Sequence, residues 1–212
     1  MIPLKYRTVL PSMSLVCASM VFGNQSDDAG AMLLDALNIN TMTATFSQVV
    51  RNIETSKEVS VSSGRMSFAK PNLLKWAYDE PINQIFIKKN QIIYMFDKDL
   101  LQLSKLNQSS SKKTPFDFMT LDYRDLKTFY TIEKLNISDT VSGLSLKPKN
   151  EISDHYQVII VLKDKLIHQI EIFYRIGRVI EINFEKVKVN LTFSKNEFDL
   201  DLPSNIAIEE IK

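Results

Sequence analysis

Apolar and polar residues alternate with a period of two along much of the chain. The segments with this spacing are residues 59–62, 74–79, 180–185 and 187–193, and Ile92, Tyr94 and Phe96 are assigned to one strand face in the same way. Such alternation gives a β-strand one apolar face and one face that meets water. The pattern predicts about ten strands, and it leaves little of the chain for helices.

Short turns separate the predicted strands, for example at Lys89-Asn90, Lys163-Asp164 and Ile176-Gly177. Connections this short favour antiparallel neighbours, because a parallel crossover needs about a dozen residues or more. A sheet of about ten strands must also curl. We therefore predict a mainly β (α+β) chain that is built on a single curved antiparallel sheet.

Two stretches interrupt the strand pattern with signals for the start of a helix. Ser26 and Asp27 can cap one helix, and Thr114-Pro115 places a capping residue before a proline at the first helical position of another. The apolar faces of these helices need a partner, and the concave side of the sheet is the natural one. The spacing alone leaves open whether the space between them is a filled core or a ligand cavity.

The first 23 residues are predicted to be a secretory signal peptide, followed by a single domain over residues 24–212. Lys5 and Arg7 precede an uncharged, apolar run of about 15 residues, shorter than the ~20 that a membrane-spanning helix needs. Export implies the periplasm. Two other interpretations stay open, a membrane anchor and a lipidation site at Cys17, which is the only cysteine of the chain.

Composition and motifs argue against two classes of function. The chain has 26 basic and 25 acidic residues, so it lacks the positive surplus with which a protein tracks nucleic-acid phosphates. The chain has two histidines, His155 and His168, and both are expected at the surface. Ser109 and Lys112 match a Ser-x-x-Lys pattern, but they lie in a polar loop without the other motifs of that enzyme class. No catalytic residue, metal ligand or cofactor is predicted, and we expect that the chain is not an enzyme.

The most informative stretch of sequence lies between residues 64 and 106. Lys70-Pro71 precedes Trp76-Ala77-Tyr78, and Pro81 and Gln84 follow; after them come Tyr94, Phe96, Asp97 and Gln102. From the residues alone, these are strands meeting at a turn that the proline marks, with an apolar stripe that would be ordinary core.

The same stretch resembles the LolA family of outer-membrane lipoprotein carriers. The family pattern is a basic residue, a proline, Trp-x-Tyr, and then a second proline and a glutamine. Further matches are Thr114-Pro115-Phe116, residues 146–149 and residues 198–206, so the resemblance runs from about Leu33 to Ile208.

The resemblance implies an unclosed β-barrel with a helical lid over a hydrophobic cavity that takes the acyl chains of lipoproteins. It also implies a monomeric periplasmic carrier, which receives cargo from an inner-membrane ABC transporter and delivers it to an outer-membrane acceptor lipoprotein similar to LolB. In this family an arginine latches the lid, and Lys70 stands at that position with a single ammonium in place of a planar fork.

The acyl-chain site is expected to be formed by apolar side chains of the sheet and of the lid. The expected residues are Phe46, Leu74, Trp76, Tyr94 and Phe96 from the sheet, and Phe116 and Met119 from the lid. Three alternatives stay open: a periplasmic half-barrel domain that senses lipids for regulation, the lipidated acceptor of the same pathway, and an enzyme of unknown type.

Overall fold

The structure is a computed structural model, and it describes residues 39–79, 81–107, 117–121, 123–138, 141–151, 153–204 and 206–211. The predicted signal peptide, the helix expected from Ser26, and Phe116 all lie outside these residues. Statements about structure below concern the described ranges.

Twelve strands and two short helices make up the described fold. The strands are β1 (Thr41–Asn52), β2 (Glu58–Ala69), β3 (Leu73–Tyr78), β4 (Gln84–Lys89), β5 (Ile92–Asp97), β6 (Gln102–Asn107), β7 (Tyr130–Asn136), β8 (Val141–Pro148), β9 (His155–Lys163), β10 (Leu166–Tyr174), β11 (Arg178–Val189) and β12 (Ala207–Ile211). The helices, α1 (Asp117–Thr120) and α2 (Tyr123–Phe129), lie between β6 and β7. The helical stretch expected after Thr114-Pro115 is therefore confirmed.

All twelve strands belong to one sheet in the order β12-β6-β5-β4-β3-β2-β1-β11-β10-β9-β8-β7. The sheet is open, because its two end strands, β12 and β7, each have a single neighbour. The prediction of a fully antiparallel sheet is wrong at one place, since β12 pairs with β6 in parallel. The long segment of residues 190–206 carries the chain from β11 to the far edge of the sheet, so β12 arrives in the same direction as β6.

The apolar residues predicted by the alternation share one face, which we call the inner face. Register sets Met42 opposite Phe68 and Ala44 opposite Met66, and all four side chains are buried. On β11, Ile182 and Phe184 continue this face opposite β1. Beyond Phe184, a bulge with Lys186 at φ 51° switches the inward positions to Val187 and Val189. The bulge explains why the apolar positions on β11 change from even to odd numbers.

The inner face is strongly concave. Trp76 on β3 and Phe184 on β11 are separated by β2 and β1, which would place them about 14 Å apart in a flat sheet. Their ring centroids lie 6.0 Å apart. The large core cluster of the protein fills this concave side, so the predicted curvature of the sheet is confirmed.

Candidate functional site

Three of the predicted site residues meet at the centre of the inner face. The rings of Phe46 and Trp76 lie 4.3 Å apart between centroids, and Leu74 precedes Trp76 on the inward side of β3. All three side chains are less than 9% exposed. The structure therefore brings Phe46, Leu74 and Trp76 together in one apolar surface.

Gly64 allows this surface to form. It lies directly opposite Phe46 on the strand between β1 and β3, where a larger residue would separate the two rings. A Cβ atom at Gly64 would clash with the Ala77 carbonyl oxygen and would lie 2.7 Å from Cζ of Phe46. Phe46 therefore leans across β2 and reaches Trp76 because position 64 has no side chain.

Apolar side chains of the two helices pack against part of the inner face. Met119 and Leu121 are 1% and 8% exposed, Leu126 is fully buried, and all three belong to the same cluster as Trp76. The segment is held to the sheet beside α1, where the backbone N–H of Asn72 donates to the Thr120 carbonyl at 3.4 Å. Met119 therefore packs against the inner face, and its role in an acyl-chain site stays a prediction. We call α1 and α2 the cover, a segment that runs from the β2–β3 turn to β7.

Tyr94 and Phe96 lie on the other face of the sheet. Tyr94 is paired with Ile87 and Phe96 with Ile85, whereas the inward residue of β4 is Phe86, opposite Trp76. The prediction that Tyr94 and Phe96 share a face with Trp76 is wrong. They point outward because the register of the β4–β5 hairpin reverses the parity that was expected.

The outer face carries its own covering segment. Residues 191–204 cross it, and Phe198 is buried there beside Ile87, Tyr94 and Leu103. A groove of about 620 Å³ lies on the same side, with Thr45, Lys75, Lys188 and Glu197 in its wall. The described inner face is packed by its own side chains and by the cover, so a vacant acyl-chain cavity stays a prediction.

Lys70 lies in the turn between β2 and β3, two residues before Asn72. Its backbone N–H donates to the Asn40 carbonyl at 2.9 Å. The turn is the place where α1 is attached to the sheet, which puts Lys70 near the cover. Its role as a latch stays a prediction.

Sequence reasoning missed a polar group at one end of the inner face, which we call the polar end (Gln48, Tyr78, His155 and Tyr174). The Tyr78 hydroxyl donates to Oε1 of Gln48 at 2.9 Å. Burial raises the pKa of Tyr78, and hydrogen bonding with Gln48 and Trp76 opposes that change. The sequence held one signal for this group, because Gln48 is a polar residue at an inward position of β1.

The prediction that His155 lies at the surface is wrong, whereas His168 is exposed. His155 is 2% exposed, and its Nε2 lies 3.3 Å from the Tyr130 hydroxyl. A bulge beside Tyr174 turns His155 inward at the start of β9. Burial raises the pKa of Tyr174, with further contributions from the nearby Tyr78 and Asp154.

The described ranges contain no group of three His, Cys, Asp or Glu residues that could hold a metal ion. No helix within those ranges has both the length and the apolar character needed to span a bilayer. What the inner face offers chemically is a large apolar surface with a few polar groups at one end and Lys88 inward beside Leu74 at the other. Such a surface suits a long aliphatic ligand, since apolar contacts are non-directional.

Comparison with known proteins gives consistent matches along most of the chain. The model of a family described as outer membrane lipoprotein carrier protein LolA matches residues 37–201. An outer-membrane lipoprotein carrier protein of Francisella tularensis subsp. tularensis (strain WY96-3418) is 28% identical over 198 residues, which cover 92% of this chain and 95% of that protein. One of Legionella pneumophila (strain Lens) is 25% identical over 196 residues, with coverages of 92% and 94%.

A solved structure supports the fold independently of sequence. An uncharacterized conserved protein from Thermus thermophilus superposes with a TM-score of 0.55 at 10% identity, over 88% of this chain and 100% of that one. At this level of identity the likeness concerns the fold alone.

Proposed function

The chain belongs to the LolA family of outer-membrane lipoprotein carrier proteins, and we propose that it carries lipoproteins across the periplasm by sheltering their acyl chains on the inner face of its sheet. The observation that carries this proposal is the concave apolar surface around Trp76, which a separate segment covers. Each CH₂ group of an acyl chain costs about 0.8 kcal/mol when it is exposed to water. A carrier must therefore bury the whole chain.

Cargo and cover would occupy the same surface. In the structure Met119, Leu121 and Leu126 are buried in the core cluster of the inner face. An acyl chain that enters would replace these contacts with its own, so loading exchanges one set of apolar contacts for another. Such an exchange has a small net free energy, and it needs no ATP at the carrier itself.

The further steps of the proposal follow the family resemblance. Residues 1–23 would direct export and be removed, and the carrier would act in the periplasm. It would receive lipoproteins from an inner-membrane ABC transporter and pass them to an outer-membrane acceptor lipoprotein. Onward transfer requires only that the acceptor hold the acyl chains more tightly than the carrier does.

Two adjacent residues of β4 provide a matched test of which face binds cargo. Phe86 lies on the inner face, with its ring 6.0 Å from that of Tyr78, and Ile85 lies on the outer face. Both side chains are partly buried, so Phe86→Glu and Ile85→Glu each introduce a charge with similar exposure.

The assay is release of a radiolabelled lipoprotein from spheroplasts into the medium by added carrier. We expect release to be lost with Phe86→Glu, because a carboxylate there would be desolvated by the acyl chain. We expect release to be kept with Ile85→Glu. Circular dichroism and thermal unfolding check that both variants are folded. Equal release by the two folded variants would contradict the assignment of the inner face.

A further inference from the structure

The polar end of the inner face presents hydrogen-bond donors that the described protein does not use. Gln48 is 8% exposed, and its side-chain oxygen accepts from Tyr78. Its two amide N–H groups have no acceptor among the described residues. Tyr174 is partly buried with its ring centroid 6.4 Å from that of His155, and its hydroxyl makes no hydrogen bond in those ranges either.

These donors adjoin a stretch of apolar inward residues on β1 and β2, and Lys88 lies inward opposite Leu74 at the other end. Away from the polar end, the inward residues of β1 and β2 are Met42, Ala44, Phe46, Met66 and Phe68, which are at most 5% exposed. Neither donor is sealed from water in the described ranges, so an acyl chain that displaced this water would leave both unpaired unless the ligand supplied acceptors. A ligand that is aliphatic along most of its length and has acceptors at one end would match this distribution.

We propose that Gln48 and Tyr174 bind carbonyl oxygens at the root of the acyl chains, and that the chains run from there past Trp76 towards Met42. The proposal rests on the proposed carrier function and adds a direction and a chemical preference to it. The acceptors in question are the ester and amide carbonyls that join acyl chains to a glyceryl-cysteine. Tyr78 is a positioning residue, since its hydroxyl holds Gln48 by the side-chain oxygen and leaves the N–H groups to point to the ligand.

The same geometry accounts for the place of the cover. The attachment of α1 at Asn72 lies at the opposite end of the inner face, next to Leu74. α2 leads directly into Tyr130, which contacts His155 at the polar end. The carbonyl groups would therefore lie beside the α2 end of the cover, and the methyl ends of the chains would lie beneath α1.

Two synthetic lipopeptides with the same chain lengths test the preference for carbonyl groups. One carries its chains through ester and amide bonds, and the other carries them through ether and alkylamine bonds without carbonyl oxygens. Binding is read from quenching of Trp76, the only tryptophan, by bromine atoms on the chains. The isosteric variants Tyr174→Phe and Gln48→Leu remove one donor or one donor pair each, and Tyr156→Phe is the control on the exposed outer side of β9.

We expect each donor variant to weaken binding of the ester-linked peptide by about fivefold, the effect of one typical hydrogen bond. Binding of the ether-linked peptide should be unchanged in the variants, and Tyr156→Phe should bind both peptides as the native chain does. Bromines near the carbonyl end should quench Trp76 more than bromines near the methyl end, since Trp76 is only two residues from Tyr78 on β3.

The possible failures are distinct. If the native chain binds both peptides equally well and the variants change neither, the carbonyl site is refuted and the carrier function stands. If the native chain binds neither peptide, the carrier function itself is refuted, and the carbonyl site with it. Stronger quenching by bromines at the methyl end would overturn the proposed direction of the chains.

Discussion

Replacing Leu126 by alanine should strengthen cargo binding, although it removes apolar surface from the protein. Leu126 lies on α2 and is completely buried against the cluster that contains Trp76. If the cover competes with cargo for the inner face, weakening the cover shifts the protein towards the state that accepts cargo. The apparent affinity then rises in proportion to the population of that state.

The size of the effect follows from the burial of the side chain. Truncating a fully buried leucine destabilises the packed state by about 2 kcal/mol or more. If the covered state dominates in the native chain, 2 kcal/mol corresponds to an increase in apparent affinity of up to about thirtyfold. A smaller increase is expected when the remaining side chains of the cover relax into the space.

Leu103→Ala is the matched control, because Leu103 is 6% exposed but lies on the outer face beneath residues 198–202. Both variants should lower the free energy of unfolding in urea. Only Leu126→Ala should increase the affinity for a brominated lipopeptide, measured by quenching of Trp76. Unchanged or weaker binding by folded Leu126→Ala would refute the idea that cover and cargo compete.

Two further predictions concern stability. Gly64→Ala should lower the midpoint of thermal unfolding, at a cost of about 1–3 kcal/mol, because the new methyl group would clash with the Ala77 carbonyl oxygen and the Phe46 ring. The control Ser63→Ala, at an exposed neighbour, should have little effect. Hydrogen bonding from Asn183 and pairing with Arg51 lower the pKa of Glu181. The stability that its carboxylate contributes to the fold is therefore present above the ordinary pKa of 4.5, and it is lost as the pH falls through the lowered value. Glu181→Gln should therefore reduce the loss of stability in acid, measured by urea unfolding at a series of pH values. If the free energy of unfolding falls at low pH as it does in the native chain, this role of Glu181 is contradicted.

The alternation of residues predicted the inner face well wherever one side of a strand is polar. On β3, Lys75 separates Leu74 from Trp76, so their shared face could be read directly from the sequence. On β5 all of residues 92–96 are apolar because the outer face is also covered, there by residues 198–202. A period of two carries no information about the face in such a strand, and this is why Tyr94 and Phe96 were misplaced.

Features that depend on register or on bulges could also not be predicted from the sequence. The inward position of His155 follows from a bulge near Tyr174, and no local pattern marks it. The parallel pairing of β12 depends on the path of residues 190–206 over the outer face. The bulge at Lys186, by contrast, could have been predicted, since the apolar residues before it have even numbers and those after it have odd numbers.

The covering segment on the outer face gives the sheet a property that a carrier needs. Lys75 donates through Nζ to the Glu197 carbonyl at 2.9 Å, and Ser67 donates to the Glu197 carboxylate at 2.8 Å. Lys89 pairs with Asp199 further along. These contacts tie β2, β3 and β4 together from outside, on the face opposite the proposed acyl-chain site. If the cover leaves the inner face, as the proposed loading step requires, apolar contacts are lost but these outer contacts are kept, so the sheet should keep its curvature.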